Sequence, residues 1–257
     1  MQSYATLFFV SFILCIIIIL SSGHGFSRRG KVDEAAIQSA HSGFVPRVGG
    51  LAIYISILVL IPLLSFGFIP LFVVFDLDTE QLTLLILSAA PVFSVGLAED
   101  LGYEMSPKAR LAASAVSSLV AMILFKVWLD SLGIPVVDTL LLFMPFGVLF
   151  TIFATVGVVN AFNLIDGLNG LSAFTTISIS LSLGFVAAQS GTIELTVLLI
   201  ALTVIVAGFF VLNFPWGKIF LGDCGAYILG LVVTWSAIYL MHYDSTISAF
   251  AILLIFF

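Results

Sequence analysis

Leu195-Thr-Val-Leu-Leu-Ile-Ala-Leu-Thr-Val-Ile-Val-Ala-Gly-Phe-Phe-Val-Leu212 runs for 18 residues without a charge. That is long enough for a helix to cross the hydrocarbon core of a bilayer, which takes about 20 mostly apolar residues. Its neighbours repeat the pattern. Further apolar spans read as Ser3–Leu20, Gly50–Phe68, Leu82–Ala98, Leu111–Leu129, Leu140–Val159, Leu171–Ala188, Ala226–Met241 and Ile247–Phe257. Of the 257 residues, 61% are hydrophobic and only 9% charged, with a mean hydropathy of +1.28. A soluble domain carries about 25% charged residues. The expected fold is therefore all-α: a polytopic helical membrane bundle of about nine spans, occupying 1–257 as a single domain.

Short connections make successive spans antiparallel neighbours. Pro62, Pro91 and Pro145 lie inside spans, where kinks are expected with the freed backbone groups satisfied by adjacent helices. The apolar run up to Phe257 leaves two readings open: an end at a membrane surface, or a fragment of a longer chain.

Sidedness follows from the cations. Arg28, Arg29, Lys31, Arg47, Lys108, Arg110 and Lys218 share one side if the spans alternate, and only Lys126 lies near the other. Positive loops stay cytoplasmic, so the N-terminus is expected outside. Span one lacks the basic leader of a signal peptide. The net charge of -6 says little about partners, and no nucleic acid is expected. Cys15 and Cys224 are too far apart in sequence and context to suggest a disulfide framework or a zinc site. His24 and His41 lack metal-ligand spacing.

Four polar clusters interrupt the oily chain on that same cytoplasmic side: Pro46–Gly50, Glu99-Asp100 with Ser106–Arg110, Asn160–Gly167, and Phe220–Asp223. Adjacent carboxylates at a membrane boundary need a cation nearby to stay ionised together; a local ion pair on a solvated helix end serves equally well. Asn160, Asn163 and Asp166 recur every three residues and share an arc of roughly 120° on a helix. Intramembrane polar groups are costly, which favours a functional site over a capped helix end. Asp223 reads either as the N-cap of the helix that follows or as a carboxylate holding Mg2+ against a diphosphate. Arg47 reads as a phosphate contact or a topological anchor.

Taken in order, these clusters resemble the polyprenyl-phosphate N-acetylhexosamine-1-phosphate transferase family. The resemblance rests on Pro46–Ala52, Gly96–Asp100, Ser106–Leu111, Asn160–Leu171 and Asn213–Gly225, and spans residues 46 to about 230. It implies transfer of a sugar 1-phosphate from a UDP-N-acetylhexosamine to a polyprenyl phosphate at the cytoplasmic face of the plasma membrane. UMP is released, and the product begins a lipid-linked cell-envelope glycan. N-acetylglucosamine is the expected sugar. Mg2+ is the expected cofactor, with Mn2+ as the alternative; a homodimer stays open.

The same resemblance suggests roles. Glu99, Asp100 and Asp166 would carry catalysis, Asp100 orienting or deprotonating the lipid phosphate with help from Glu99. Asp223 and Asp166 would hold the metal. Arg47, Lys108, Arg110, Asn160, Asn163 and Asn169 would bind substrate. The chain departs from the family pattern in three places. Glu99-Asp100 stands where Asp-Asp is usual, and Asn169 stands where many relatives have a second Asp. A His-rich loop is missing, since His242 falls at the outer end of its span. A truncated or inactive family member is one competing reading, given the missing His-rich loop; transport is the lesser one, since a pathway should place its polar groups at mid-membrane within repeated halves and here they gather at one face.

Overall fold

The computed structural model describes residues 12–21, 45–65 and 80–256. The start of the first expected span, the loop cations Arg28, Arg29 and Lys31, both loop histidines, the end of the second span and Phe257 lie outside the described residues. What is described is all helix: α1 (Phe12–Ser21), α2 (Gly49–Ser65), α3 (Glu80–Ser88), α4 (Ala90–Asp100), α5 (Pro107–Phe125), α6 (Pro135–Leu141), α7 (Met144–Ile165), α8 (Leu171–Gln189), α9 (Ile193–Asn213), α10 (Gly222–Tyr243) and α11 (Ala249–Ile255). Among the described residues β pairing is limited to one isolated bridge, Arg47 with Phe220.

Five helices, α5, α7, α8, α9 and α10, are long and apolar enough to cross a membrane. They are the framework of a multi-pass membrane bundle. α10 occupies its middle and packs against α2, α4, α7 and α8, with 89% of its best apolar window buried. α7 lies at the edge, turning Phe146, Leu149 and Phe153 outward. Two hydroxyl contacts tie α7 to its neighbour: Ser118 donates to Thr155 Oγ1 at 3.1 Å, and Leu129 N–H donates to Thr151 Oγ1 at 2.9 Å. In lipid, where apolar contact alone gives little drive for helices to associate, such bonds help fix their pairing.

The expected third span is two helices. Pro91 has no N–H to donate and its ring crowds the preceding turn, so the helix breaks at Ala89 and restarts with Pro91 in its first turn. The Val92 N–H is taken across the bundle by Ser117 Oγ of α5 at 3.1 Å. Pro145 produces no mid-span kink; it sits in the first turn of α7, a position proline tolerates. α2 stays helical through Pro62. The short α6 lies mostly ahead of the expected span Leu140–Val159, sharing only Leu140 and Leu141 with it.

Candidate functional site

α10 begins abruptly. Gly222 has φ +80°, a left-handed conformation that turns the chain into the helix. The residue at the N-cap, Leu221, has no side-chain oxygen to offer the first amides. Asp100, at the end of α4, supplies both. Its Oδ1 accepts from Asp223 N–H at 2.9 Å and its Oδ2 from Cys224 N–H at 3.0 Å. A Cβ on Gly222 would lie 2.6 Å from Asp100 Oδ2, so the approach depends on glycine. Asp100 is 3% exposed. Negative charge at a helix N-terminus is favourable, and with the cap supplied from α4 the Asp223 carboxylate is not used as an N-cap.

The first loop is tied to the same place through its backbone. Phe220 N–H donates to Pro46 O at 3.0 Å, Gly49 N–H to Phe220 O at 3.0 Å, and Gly50 N–H to Leu221 O at 2.7 Å. A Cβ on Gly50 would meet Gly225 N at 2.2 Å, so α2 and α10 touch at backbone distance. This strap sets Arg47 Nη1 3.8 Å from Asp223 Oδ2.

The third cluster closes from α7. Asn163 Nδ2 donates to Asp223 Oδ1 at 2.5 Å. Asp166 caps the C-terminal end of α7 and accepts a hydrogen bond from Ser172 Oγ at the start of α8. Burial pushes the Asp166 carboxyl up to about 7; Asp223 and Asp100 nearby push the same way, while Ser172 and Arg47 oppose. Asn213, at the end of α9, bridges two loops. Its Oδ1 accepts from Gly170 N–H at 2.6 Å and its Nδ2 donates to Ile219 O at 2.7 Å.

Beside these groups opens a polar cavity of about 410 Å³, lined by Arg47, Glu99, Asp100, Tyr103, Glu104, Met105 and Arg110. Arg110 Nη2 pairs with Glu99 Oε1 and also donates to Met105 O at 3.3 Å. Ser106 N-caps α5 by accepting from Ala109 N–H, which fixes the turn that presents Arg110.

The expected site residues therefore divide. Arg47, Glu99, Asp100, Arg110, Asn163, Asp166 and Asp223 converge at one end of the bundle. Lys108 is exposed and does not line the cavity. Asn160 spends its amide on its own helix, donating to Val156 O at 2.7 Å. Asn169 is half-buried in the loop between α7 and α8. Reading the sequence missed the duties of Ser172 and Asn213. Asn213 carried a signal, a polar residue closing an 18-residue apolar run; Ser172 carried none beyond its type.

Four carboxylates, those of Glu99, Asp100, Asp166 and Asp223, face two guanidiniums, those of Arg47 and Arg110. Among the described residues no three acidic, cysteine or histidine groups form a ready-made metal cage. Mg2+ does not need one; it is usually held by one or two carboxylates and completed by water and substrate phosphate. Asp223 and Asp166, hard oxygen donors in mutual electrostatic contact and only partly balanced by Arg47, fit that pattern.

Comparison with known proteins identifies the family. The undecaprenyl-phosphate alpha-N-acetylglucosaminyl 1-phosphate transferase of Escherichia coli strain K12 is 27% identical over 210 residues, covering 80% of this chain and 54% of that protein. Its Salmonella typhi counterpart is 30% identical over 214 residues, with the same coverage of 80% and 54%. A probable undecaprenyl-phosphate N-acetylglucosaminyl 1-phosphate transferase of Bacillus subtilis is 31% identical over 209 residues, again covering 80% and 54%. The chain thus spans about half the length of the curated relatives it matches. The model of one family, glycosyl transferase family 4, matches residues 82–241, which include the acidic pair, the Asn-Asp segment of α7 and the start of α10. On that match, the chain belongs to glycosyl transferase family 4.

Proposed function

We propose that the chain transfers an N-acetylhexosamine 1-phosphate, with N-acetylglucosamine as the foremost sugar, from a UDP-sugar to a polyprenyl phosphate and releases UMP. The observation that carries this reading is the meeting of Asp166 and Asp223 with Arg47 and a polar cavity at one end of an apolar bundle. Such a place serves a water-soluble nucleotide and a lipid phosphate together. By the positive-inside reading that end is cytoplasmic, the N-terminus is outside, and about nine segments cross the plasma membrane.

The reaction joins two anions. An oxygen of the lipid phosphate forms a bond to the phosphorus that bears the sugar, and the bridging P–O bond to the nucleotide breaks. The lipid phosphate has a second pKa of about 6, so near neutrality it is already mostly ionised. Bound Mg2+ would neutralise phosphate charge in the transition state. Asp223 and Asp166 would hold it. Asn163 keeps the Asp223 carboxylate oriented, and Ser172 does the same for Asp166. Arg47 and Arg110 present N–H donors to phosphate oxygens. Asp100, with both oxygens committed to α10, serves by fixing the helix that carries Asp223, and Glu99 by holding Arg110.

The test is UMP release by the purified full chain in detergent, given polyprenyl phosphate and a panel of UDP-N-acetylhexosamines. Release with one donor, lost on adding EDTA and lost in Asp223→Ala, is the expected result. Wild-type rates in Asp223→Ala would remove the metal assignment, and silence with every donor would remove the transferase reading.

A further inference from the structure

Three buried polar atoms on α4, α5 and α10, which pack together beside the cavity, have no hydrogen-bond partner: Glu99 Oε2, Arg110 Nε and the Tyr227 hydroxyl. Leaving a buried donor or acceptor unmade costs roughly 1–3 kcal/mol each, so three in one place need a reason. Their chemistry is complementary. Nε of arginine only donates, a carboxylate oxygen only accepts, and a phenol does both. Two hydrogen bonds, Nε–H to the phenol oxygen and the phenol O–H to Oε2, satisfy all three.

Tyr227 is 1% exposed, lies one turn after Asp223 on α10, and is under the electrostatic influence of Asp223, Arg110 and Glu99. Arg110 stands close to the hydroxyl without a bond of ordinary geometry. The other end of its fork is engaged, since Nη2 serves Glu99 Oε1 and the Met105 carbonyl. Arg110 also lines the cavity.

We propose that Tyr227 is a positioning residue: with Glu99 it closes a relay around Nε that locks the Arg110 guanidinium at the cavity wall, ready to receive an anionic phosphate oxygen. The relay closes directly or through one water when the anion arrives. A fixed fork loses less freedom per bond formed, so the lock acts on affinity for the anion. The identity of that anion as a UDP-sugar rests on the transferase reading; the lock itself does not.

The experiment is a mutant cycle on the full chain in detergent, reading the affinity of inorganic pyrophosphate with Mg2+ by calorimetry. Arg110→Gln is expected to weaken binding by about tenfold or more, since it removes charge-assisted bonds. Tyr227→Phe keeps the ring in place and is expected to weaken binding by about threefold to tenfold, a fraction of that charge-assisted contribution. The double variant binds no more weakly than Arg110→Gln alone, because both changes act through one group. Glu99→Gln provides a second route to the same loss.

Wild-type affinity in Tyr227→Phe, factors that multiply in the double variant, or no pyrophosphate binding by the wild type would each overturn the lock. In the transfer assay, Tyr227→Phe is expected to raise the KM for the UDP-sugar while kcat changes less than about twofold, the signature of lost uniform binding. A wild type that turns over no donor but shows the non-additive cycle would sink the transferase reading and leave the lock standing.

Discussion

α7 and α10 are both 22 residues long and nearly equal in hydropathy, 2.0 against 1.7, yet 22% of the apolar window is buried in one and 89% in the other. Hydropathy identifies what can live in a membrane; it does not say which face meets lipid and which meets protein. The difference lies in side-chain size. α10 has Gly222, Gly225, Ala226 and Gly230 in its first half, letting neighbours approach at backbone distance, whereas α7 turns large apolar groups outward. Both helices also deliver a terminus to the site. α10 does so as a fixed axis, and α7 leans its Asn163 and Asp166 against it.

Substitutions matched between the two helices test this contrast. Trp235→Ala empties a fully buried position on α10 and is expected to cost about 3–5 kcal/mol, whereas Phe153→Ala on the outer face of α7 stays within about 0.5 kcal/mol. Thermal unfolding midpoints of the two variants in one detergent give the comparison. Equal midpoints would mean that α10 is not the axis.

Asp100→Ala comes next. It orphans two amides at the start of α10 and is expected to cost about 2–3 kcal/mol. Asn160→Ala, which removes only a bond within α7, should shift the midpoint little. Hydrogen exchange at the Asp223 and Cys224 amides is the direct check, and unchanged protection in Asp100→Ala would deny the cap.

Gly230→Val is a smaller disturbance. A Cβ there would lie 2.9 Å from Val159 Cα, while one on Gly157 meets nothing within 4 Å. The first is expected to cost about 1–3 kcal/mol through overpacking, and Gly157→Val close to nothing. Similar losses from both would show that α7 packs more tightly than its exposure suggests.

The smallest effect belongs to Asn163→Ala. On the proposed metal site, loss of an outer partner of a ligand lowers metal affinity by about 10- to 100-fold, and the low end is expected because Arg47 still faces Asp223. Titrating activity with Mg2+ reads it. A maximum rate that falls with no change in the Mg2+ midpoint would move Asn163 from orienting Asp223 to contacting substrate.

Much of the site could be read from the chain because the membrane makes sidedness legible. Alternating spans and clustered cations put Arg47, Glu99-Asp100, Asp166 and Asp223 at one surface before any contact was known. What stayed hidden depends on partners far away in sequence. The cap on α10 comes from Asp100, 123 residues earlier, and no local spacing announces it. Tyr227 lies inside an apolar run where an aromatic residue reads as filling. Pro91 announced a disturbance in the third span, but its spacing did not say that the helix would part at Ala89 rather than bend. The N-cap was one of two readings of Asp223, for a sound reason, its place at the head of a helix. Only the geometry reveals that another carboxylate does that work.

The backbone strap between Pro46–Gly50 and Phe220–Leu221 has a consequence for synthesis. Membrane helices are made in order, and the two halves of this strap are separated by about 170 residues of chain. Until the start of α10 has left the ribosome, Arg47 has no Asp223 to face and Asp100 has no amides to hold. The candidate site thus comes together only once α10 has begun, and a nascent chain halted after α9 would lack it.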